Sequence, residues 1–413
     1  MRTLTTTAAV IALAAPAAAQ ATLTIESWRS EDQAVWDDVL LPAFEAQHPE
    51  IDVQFTPTSP TEYNAALNAR LDGGTAGDLI VCRPFDGSLA LYQKGQLADI
   101  SDLEGLGNFS DLAKGAWSTD DGSETFCVPM ASVIHGFIYN SEAFEALGIE
   151  EPATEEEFFA ALETIQEDGT YVPLAMGTAD LWEAATMGYT NIGPAYWGGE
   201  AGRQALIEGE AAFTDPQFVE PFEVLARWAP YMGRGFQAQG YTDSQNLFTL
   251  GRAAIYPAGS WEIKGFNDQA FFEMGAFPPP VSEDGTCYIS DHTDIGIGMN
   301  AASENADAAR TFLEWVASPE FAELYTNALP GFFSLADAEF EVEDPLAQEF
   351  IGFREECEST IRVAHQILSR GEPNTWNNLW SASANTINEA AGPEEAAGSV
   401  QSGLEAWYEP QQR

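Results

Sequence analysis

Basic residues are scarce in this chain of 413 residues. Lysine and arginine together number 16, against 65 aspartates and glutamates, so the formal net charge at pH 7 is −49. Because nucleic-acid binding needs a basic face that neutralises phosphates, this composition excludes a nucleic-acid partner. The negative field also argues against anionic substrates. Two explanations of the acidity stay open, namely solubility and adaptation to a saline medium that screens self-repulsion.

Catalytic motifs and metal-ligand spacings are also missing. The sequence contains no G-x-S-x-G, H-E-x-x-H, P-loop or C-x-x-C pattern, and its four histidines (His48, His135, His292 and His365) are scattered. We therefore expect no cofactor, no metal site and no enzymatic activity. The rival class is a secreted glycosidase or lyase, because 65 acidic residues could supply a carboxylate pair.

Long apolar runs are confined to the N-terminus. Residues 1–19 combine one arginine, an apolar run from Ala8 and the small residues Ala17-Ala18-Ala19. This pattern predicts a secretory signal peptide that is cleaved after Ala19 or Ala21. A membrane anchor is the alternative, but it would need roughly 20 apolar residues. No cysteine for lipid attachment lies near the cleavage point, so we expect the mature protein in a Gram-negative periplasm.

Only four cysteines occur, at positions 82, 127, 287 and 357. An even number in an oxidising compartment indicates two disulfides, and three pairings are open. Free buried thiols are the alternative.

Apolar strand-like runs and helical patterns alternate along the chain. Strands are predicted at Thr22–Ser27, Ile51–Thr56, Asp78–Arg83, around Cys127, and at His135–Asn140, Ala253–Tyr256 and Met274–Phe277, with helices between them. Thr154 and Glu157 form a capping-box pattern for a helix to about Gln166. Towards the C-terminus helices dominate, and one is predicted over Pro345–Ile361. This order predicts an α/β fold with mostly parallel sheets in two domains.

Six segments in the same order resemble the family 1 extracellular solute-binding proteins, the maltose-binding type that serves sugar ABC importers. They are ESWRSEDQAVWDDVLLPAFEAQHPEIDVQF, GDLIVCRPFDGSLALYQKGQLADISDL, FCVPMASVIHGFIYNSEAFEALGI, LFTLGRAAIYPAGSW, IGIGMNAASENADAARTFLEWVASPE and NTWNNLWSASANTINEAAGPEEA. The resemblance covers nearly all of the mature chain and is clearest from Phe248 onward.

The resemblance implies a two-lobe periplasmic binding protein fold of type II. It places one lobe at 22–129 plus 293–329 and the other at 130–292 plus 330–413, with hinge crossovers near Met130, His292 and Pro330. It also implies the disulfides Cys82–Cys127 and Cys287–Cys357. The implied function is capture of a mono- or oligosaccharide, or a glycoside, by lobe closure. The implied partners are the carbohydrate and the permease subunits of an ABC transporter, and the protein is expected to be a monomer.

Sugars present apolar faces and a ring of hydroxyls, which proteins grip with aromatic rings and planar polar groups. Ligand contacts are therefore expected where strands one and three end at the cleft. The candidates there are Trp28, Arg29, Glu31, Arg83 and Asp86. Arg29 could instead form an ion pair between the lobes, and Arg83 could pair with Asp86.

The second lobe supplies the remaining candidates. Trp261 is the foremost, because the family places a stacking aromatic there and Gly259 lets the backbone turn before it. The others are Trp182, Trp197, Asp291, His292, Phe332, Phe333, Arg370 and Trp376. Trp182 could be helix core, and one of Trp376 and Trp380 could be core. His135 is expected to pack in the core or hinge. Other small solutes, such as a polyamine, are an alternative ligand class.

Overall fold

The computed structural model describes residues 20–281 and 285–412. The predicted signal peptide, residues 1–19, lies outside the described residues. Among those described, no helix is both long and apolar enough to cross a membrane.

The strands belong to one connected mixed sheet. They are β1 (Ala21–Ser27), β2 (Ile51–Pro57), β3 (Leu79–Cys82), β4 (Val128–Asn140), β5 (Val172–Leu174), β6 (Ala253–Gly259), β7 (Met274–Phe277), β8 (Tyr288–Met299), β9 (Phe333–Ser334) and β10 (Glu358–Thr360). The main order is β2-β1-β3-β8-β4-β6-β5. β1 is parallel to β2 and β3. β4 is antiparallel to β6 and β7, so the expectation of mostly parallel sheets is wrong for the second half.

α-Helices alternate with these strands along the described chain. They are α1 (Gln33–Val35), α2 (Leu41–Gln47), α3 (Tyr63–Asp72), α4 (Asp86–Gln93), α5 (Asp111–Gly115), α6 (Ser141–Leu147), α7 (Glu155–Asp168), α8 (Thr190–Ile192), α9 (Pro194–Trp197), α10 (Gly199–Glu208), α11 (Pro216–Ala226), α12 (Tyr241–Thr249), α13 (Ile263–Gln269), α14 (Ala306–Val316), α15 (Pro319–Ala328), α16 (Pro345–Glu356), α17 (Thr375–Ile387) and α18 (Pro393–Glu405). Turns of π-helix lie at Trp36–Leu40 and Ala184–Tyr189, and a 3-10 turn lies at Gln366–Ser369.

Two of these helices test the sequence signals for helix ends. The capping box of Thr154 and Glu157 is present at the start of α7, which ends at a left-handed Gly169. The predicted helix Pro345–Ile361 is too long, because α16 ends at Glu356 and the next residues form β10. The cause is tertiary: Cys357 is bonded to Cys287, and β10 pairs in parallel with the start of β8.

β4 and β8 run through both halves of the molecule. The sequence predicts two strand-like pieces around Cys127 and His135, whereas β4 is one continuous strand in which only Tyr139 is not buried. Its first half pairs with β8, and its second half pairs with β6 and β7. Strands covered on both faces read as unbroken apolar runs, which explains the missing alternation.

The buried apolar side chains form two clusters. We call the first core the cluster from residues 23–133 and 295–332, and the second core the cluster from residues 134–289 and 333–404. The side chain of Trp261 packs against both. The disulfide Cys82–Cys127 lies in the first core, and Cys287–Cys357 lies at the second. Both pairings implied by the resemblance are therefore present.

Candidate functional site

A cavity of about 800 Å³ lies between the two cores. On the first-core side its wall comes from the segments that follow β1 and β3 and from α3 and α4. On the second-core side it comes from residues around α12, β6, β10 and α17. The predicted site residues in this wall are Trp28, Arg29, Glu31, Arg83, Asp86, Trp182, Trp261, Arg370 and Trp376. The carboxyl ends of β1 and β3 open on the cavity, as in other open α/β sheets.

Trp261 is held in place by a chain of hydrogen bonds. Its indole Nε1 donates to the Tyr241 hydroxyl (3.1 Å), which donates to Glu262 Oε1 (2.7 Å). Gly259 has an ordinary φ of −108°, so a sharp turn is not its role. A Cβ on Gly259 would lie 1.9 Å from the Trp261 ring, and the ring can fold back over this position only because it is glycine.

Further aromatic rings extend this face of the cavity. Trp182 lies edge-on to Tyr241, with ring centroids 4.7 Å apart. Trp376 and Trp380 are 6.2 Å apart on α17, and both line the cavity. The alternative that one of these two tryptophans belongs to the core is therefore not supported. We call Trp182, Tyr241, Trp261, Trp376 and Trp380 the aromatic wall; all five side chains are half-buried, so part of each ring is accessible.

Trp28 lies on the opposite wall in a different environment. It is only 4% exposed. The guanidinium of Arg83 lies 4.0 Å from the centre of its ring, and Tyr63 packs 5.6 Å away. The Tyr63 hydroxyl in turn donates to the Val81 carbonyl (2.7 Å). Trp28 therefore serves chiefly as a platform for Arg83, with little free ring face.

Arg29 is fully engaged beside Trp28. Its Nε and Nη2 donate to both oxygens of Asp32 (2.7 and 2.9 Å), and its Nη1 pairs with Glu31 (2.7 Å). Burial opposes the positive charge, but these two carboxylates outweigh it and raise the pKa of Arg29. The ion pair is local to this loop and does not join the two cores.

An ion-pair cluster joins residues from the two sides of the cavity. Arg370, from the second-core side, donates through Nε to Asp86 (2.6 Å) and through both terminal nitrogens to Asp120 (2.9 and 2.7 Å). Asp86 therefore pairs with Arg370 and not with Arg83. Burial raises the pKa of Asp86, and the hydrogen bond from Arg370 opposes that shift. We call Arg370, Asp86 and Asp120 the latch, because it ties the two sides together.

The remaining five predicted residues do not reach the cavity wall. Trp197 is 5% exposed and stacks on Phe218 within the second core, 5.5 Å between centroids. Phe332 lies beneath Arg29, whose guanidinium carbon is 4.7 Å from the ring. Both positions follow from packing, since each ring fills core volume, and they do not support a ligand contact.

Asp291, His292 and Phe333 lie behind the wall. Asp291 accepts from Arg354 (2.8 and 2.9 Å) and from the Ser359 hydroxyl (2.9 Å), so its oxygens are occupied. Phe333 is buried, and the same Arg354 lies 5.4 Å from its ring. The contacts with Arg354 and Ser359 are structural, and none of the three residues lines the cavity.

His292 belongs to a cluster of three histidines at the junction of the cores. Its ring lies 5.5 Å from His135 and 5.2 Å from His365. Burial lowers the pKa of all three imidazoles well below the usual value, and the charge of Arg362 lowers it further. His135 and His292 are fully buried behind the cavity, which agrees with the core packing expected for His135, whereas His365 is half-buried and lines the cavity.

Several wall residues were not singled out from the sequence, notably Tyr241, Asp294 and Arg362. Arg362 could have been predicted, because it follows a strand as Arg83 does. That strand was not recognised, because a helix was predicted over Pro345–Ile361. Tyr241 starts α12 and reaches the wall only through tertiary packing, so no local pattern marks it.

Comparison with known proteins identifies the family. A family model described as bacterial extracellular solute-binding protein matches residues 27–323. An uncharacterised ABC transporter extracellular-binding protein of Pyrococcus horikoshii is 26% identical over 247 residues, 58% of this chain and 56% of the relative. The chain thus spans just over half the length of that relative. The multiple sugar-binding protein of Streptococcus mutans is 20% identical over 294 residues, 68% of each chain.

Solved structures share the fold over nearly their whole length. One from work on xylan utilisation by Caldanaerobius polysaccharolyticus has a TM-score of 0.81 at 17% identity, covering 92% of this chain and 99% of that one. The solute receptor AcbH has a TM-score of 0.80 at 20% sequence identity, covering 94% of this chain and 98% of that one. RafE, solved with raffinose, has a TM-score of 0.77 at 21% sequence identity, covering 95% of this chain and 100% of that one. The predicted α/β fold of the type II periplasmic binding proteins is confirmed, apart from the mostly parallel sheets, and the chain belongs to the bacterial extracellular solute-binding protein family.

Proposed function

We propose that the protein is the periplasmic substrate-binding component of a sugar ABC transporter. It captures a mono- or oligosaccharide, or a glycoside, between its lobes and delivers it to the permease in the inner membrane. The residues of the signal peptide are removed on export, and the mature protein acts as a monomer. Neither nucleic acid nor a cofactor takes part, and the ligand leaves chemically unchanged.

The aromatic wall is the observation that carries this proposal. Five half-buried aromatic side chains face one cavity of about 800 Å³, a volume suited to a ligand of one to a few sugar rings. Aromatic faces cover the C–H faces of a pyranose, while the opposite wall offers arginine and carboxylate groups to its hydroxyls. The names of relatives support the same class, since RafE was solved with raffinose and the Streptococcus mutans relative is called a multiple sugar-binding protein.

Lobe closure follows from the position of the cavity. We assign one lobe to 22–129 plus 293–329 and the other to 130–292 plus 330–413, with crossovers near Met130, His292 and Pro330. Each wall of the cavity then belongs to a different lobe, so rotation at the crossovers opens and closes the site. The latch lies across that opening and favours the closed arrangement.

A polyamine fits this cavity less well than a sugar. Arg83 and Arg362 line the cavity, and neither forms an ion pair within the described part of the chain. Their positive charges repel a polycation. An enzymatic role has no support in the family, whose description is solute binding.

A ligand screen tests the proposal directly. The mature protein is titrated by calorimetry with mono- to tetrasaccharides, sugar acids and glycosides, with spermidine and putrescine as the competing class. We expect a saccharide to bind with a dissociation constant of about 10 μM or tighter and to raise the melting temperature. Incubation of the bound sugar, followed by chromatography, should return it intact. Binding of spermidine alone, or appearance of cleaved sugar, would contradict the proposal.

A further inference from the structure

We infer that the ligand of this cavity carries a carboxylate and that the guanidinium groups of Arg83 and Arg362 bind it. The inference rests on the proposed function and narrows its ligand to an acidic saccharide, such as a hexuronate or the glycoside of a hydroxy acid.

The arginines of residues 20–281 and 285–412 fall into distinct groups. Most form an ion pair with an aspartate or glutamate: Arg29, Arg70, Arg203, Arg227, Arg310, Arg354 and Arg370. Arg234 and Arg252 are exposed, where water solvates the charge. Within the described ranges, Arg83 and Arg362 are the arginines that are half-buried and have no carboxylate at ion-pair distance. Both line the cavity.

A shortage of carboxylates cannot explain this. The chain has 65 acidic residues for 16 basic ones. Removing an arginine from water without a counter-charge is costly, and buried arginines are normally paired. Two such residues facing one cavity therefore point to a counter-charge that the ligand brings.

The side chain of Arg83 is held in position, but its hydrogen-bond donors are not all used. It follows β3 directly after the disulfide-bonded Cys82, and its guanidinium lies 4.0 Å from the centre of the Trp28 ring. That contact fixes the side chain without using its hydrogen-bond donors. Its Nε is buried and, among the residues described, has no acceptor. Burial lowers the pKa of Arg83, as expected for a charge with no close partner.

Arg362 approaches the same cavity from the second core. Its guanidinium carbon lies 5.7 Å from the ring centres of both Trp261 and Trp376. One terminal nitrogen lies 3.3 Å from His135 Nε2, and because arginine has only donors, the neutral imidazole must accept there. Its Nε is buried and lacks an acceptor in the described structure. Burial lowers the pKa of Arg362 to about 10, which leaves it protonated at neutral pH.

Asp294 is the carboxylate that acts on both arginines. It lines the same cavity, and its negative charge stabilises the charge of each guanidinium without forming an ion pair with either. The carboxylate of Glu31 also acts on Arg83, but it is already paired with Arg29. A ligand carboxylate can use the free donors of Arg83 and Arg362, whereas a phosphate would bring a further negative charge towards Glu31 and Asp294.

The overall charge of −49 does not contradict this assignment. Salt screens the field of distant surface carboxylates over about 8–10 Å at physiological ionic strength. Two guanidinium groups in direct contact with the ligand, in a site of low dielectric, act far more strongly. The negative net charge therefore slows the approach of an anionic ligand, but it does not prevent such a ligand from binding tightly once it contacts the two guanidinium groups.

The test compares ligands that differ only in charge. D-galacturonate, its methyl ester and D-galactose, together with the corresponding glucose series and an aldobiouronate, are titrated against the mature protein and against Arg83→Gln and Arg362→Gln. We expect an acid to bind at least about 10-fold more tightly than its ester, and each glutamine variant to reduce that preference below about 3-fold. Arg83→Lys, which keeps the positive charge, should retain part of the preference for the acid over the ester. Arg310→Gln, which breaks a surface ion pair, should retain all of that preference.

The outcomes separate this inference from the proposed function. If an ester or neutral sugar binds as tightly as the acid, the ligand is a neutral saccharide; the carboxylate inference is then wrong and the sugar-binding function stands. If both glutamine variants keep their melting temperature and lose acid and ester binding equally, the arginines hold hydroxyls, which also overturns it. If folded protein binds no saccharide, acidic or neutral, both proposals are wrong.

Discussion

The two walls of the cavity hold their functional groups in opposite ways. On the first-core side, Trp28 is buried under Arg83, and Arg29 is bound to Glu31 and Asp32. On the second-core side the rings of the aromatic wall stay half open. The first wall is thus a polar surface built from the loops after β1 and β3, and the second is a set of accessible rings with Arg362 beside them. We expect the rings to supply most of the affinity and the guanidinium groups, one from each wall, to supply orientation and selectivity.

The largest expected effect concerns the support of the aromatic wall, where the carboxylate of Glu262 lies behind the rings. Glu262 accepts from Tyr241, Gln245 and Tyr256, with no arginine partner in the structure as described. Burial raises the pKa of Glu262 to about 7, above its usual value. The folded state therefore holds this proton where the unfolded chain has lost it, so stability falls as pH rises from about 4.5 through about 7.

We expect Glu262→Gln to remove this fall in stability with rising pH. Between about pH 5 and about pH 8, the free energy of unfolding of the original chain should fall by about 3 kcal/mol relative to the variant. Urea denaturation at several pH values measures this difference. Comparing two proteins cancels the opposing titration of the buried histidines, whose pKa is lowered. The exposed Glu150→Gln is the control, and a constant difference for Glu262→Gln would contradict the assignment.

The next largest effect is expected at the centre of the aromatic wall. Trp261→Ala should weaken binding of the saccharide found in the screen by about 2 kcal/mol, about 30-fold, because the ring offers a large stacking face. Its effect on unfolding should be smaller, since the ring is half exposed. Phe271, which is 96% exposed, provides a matched aromatic control through Phe271→Ala. Calorimetry showing unchanged affinity for Trp261→Ala would remove the aromatic wall as the source of affinity.

The smallest effect is expected from the latch that joins the walls. Asp120 lies outside the cavity lining, so Asp120→Asn weakens closure without removing a ligand contact. A partly exposed ion pair contributes about 1 kcal/mol at most, so affinity should fall by about 3- to 5-fold. The fall should be equal for charged and neutral sugars. Asp102→Asn, on the remote pair with Arg310, is the control, and a loss confined to one ligand class would refute a role in closure.

The sequence predicted the first wall better than the second. Trp28, Arg83 and Asp86 were found because strand ends in an α/β fold mark a cleft, and short apolar strands are readable from composition. Trp182 and Trp197 lie in similar local sequence, yet one lines the cavity and the other stacks on Phe218. Only tertiary packing separates them. Arg362 was missed because a disulfide and strand pairing end α16 early, and both are long-range contacts.

The irregular pairing of β4 with β8 has a consequence for how the molecule moves. Their antiparallel ladder shifts register between Pro129 and Ser132, close to the crossover assigned near Met130. A hydrogen-bonded ribbon resists sliding of one strand past the other but flexes where its ladder is interrupted. If the lobes rotate as proposed, we expect the rotation at this crossover to be concentrated in the interrupted stretch, while the paired strands on either side move as stiff units. Each closure then returns the same side chains to the same positions.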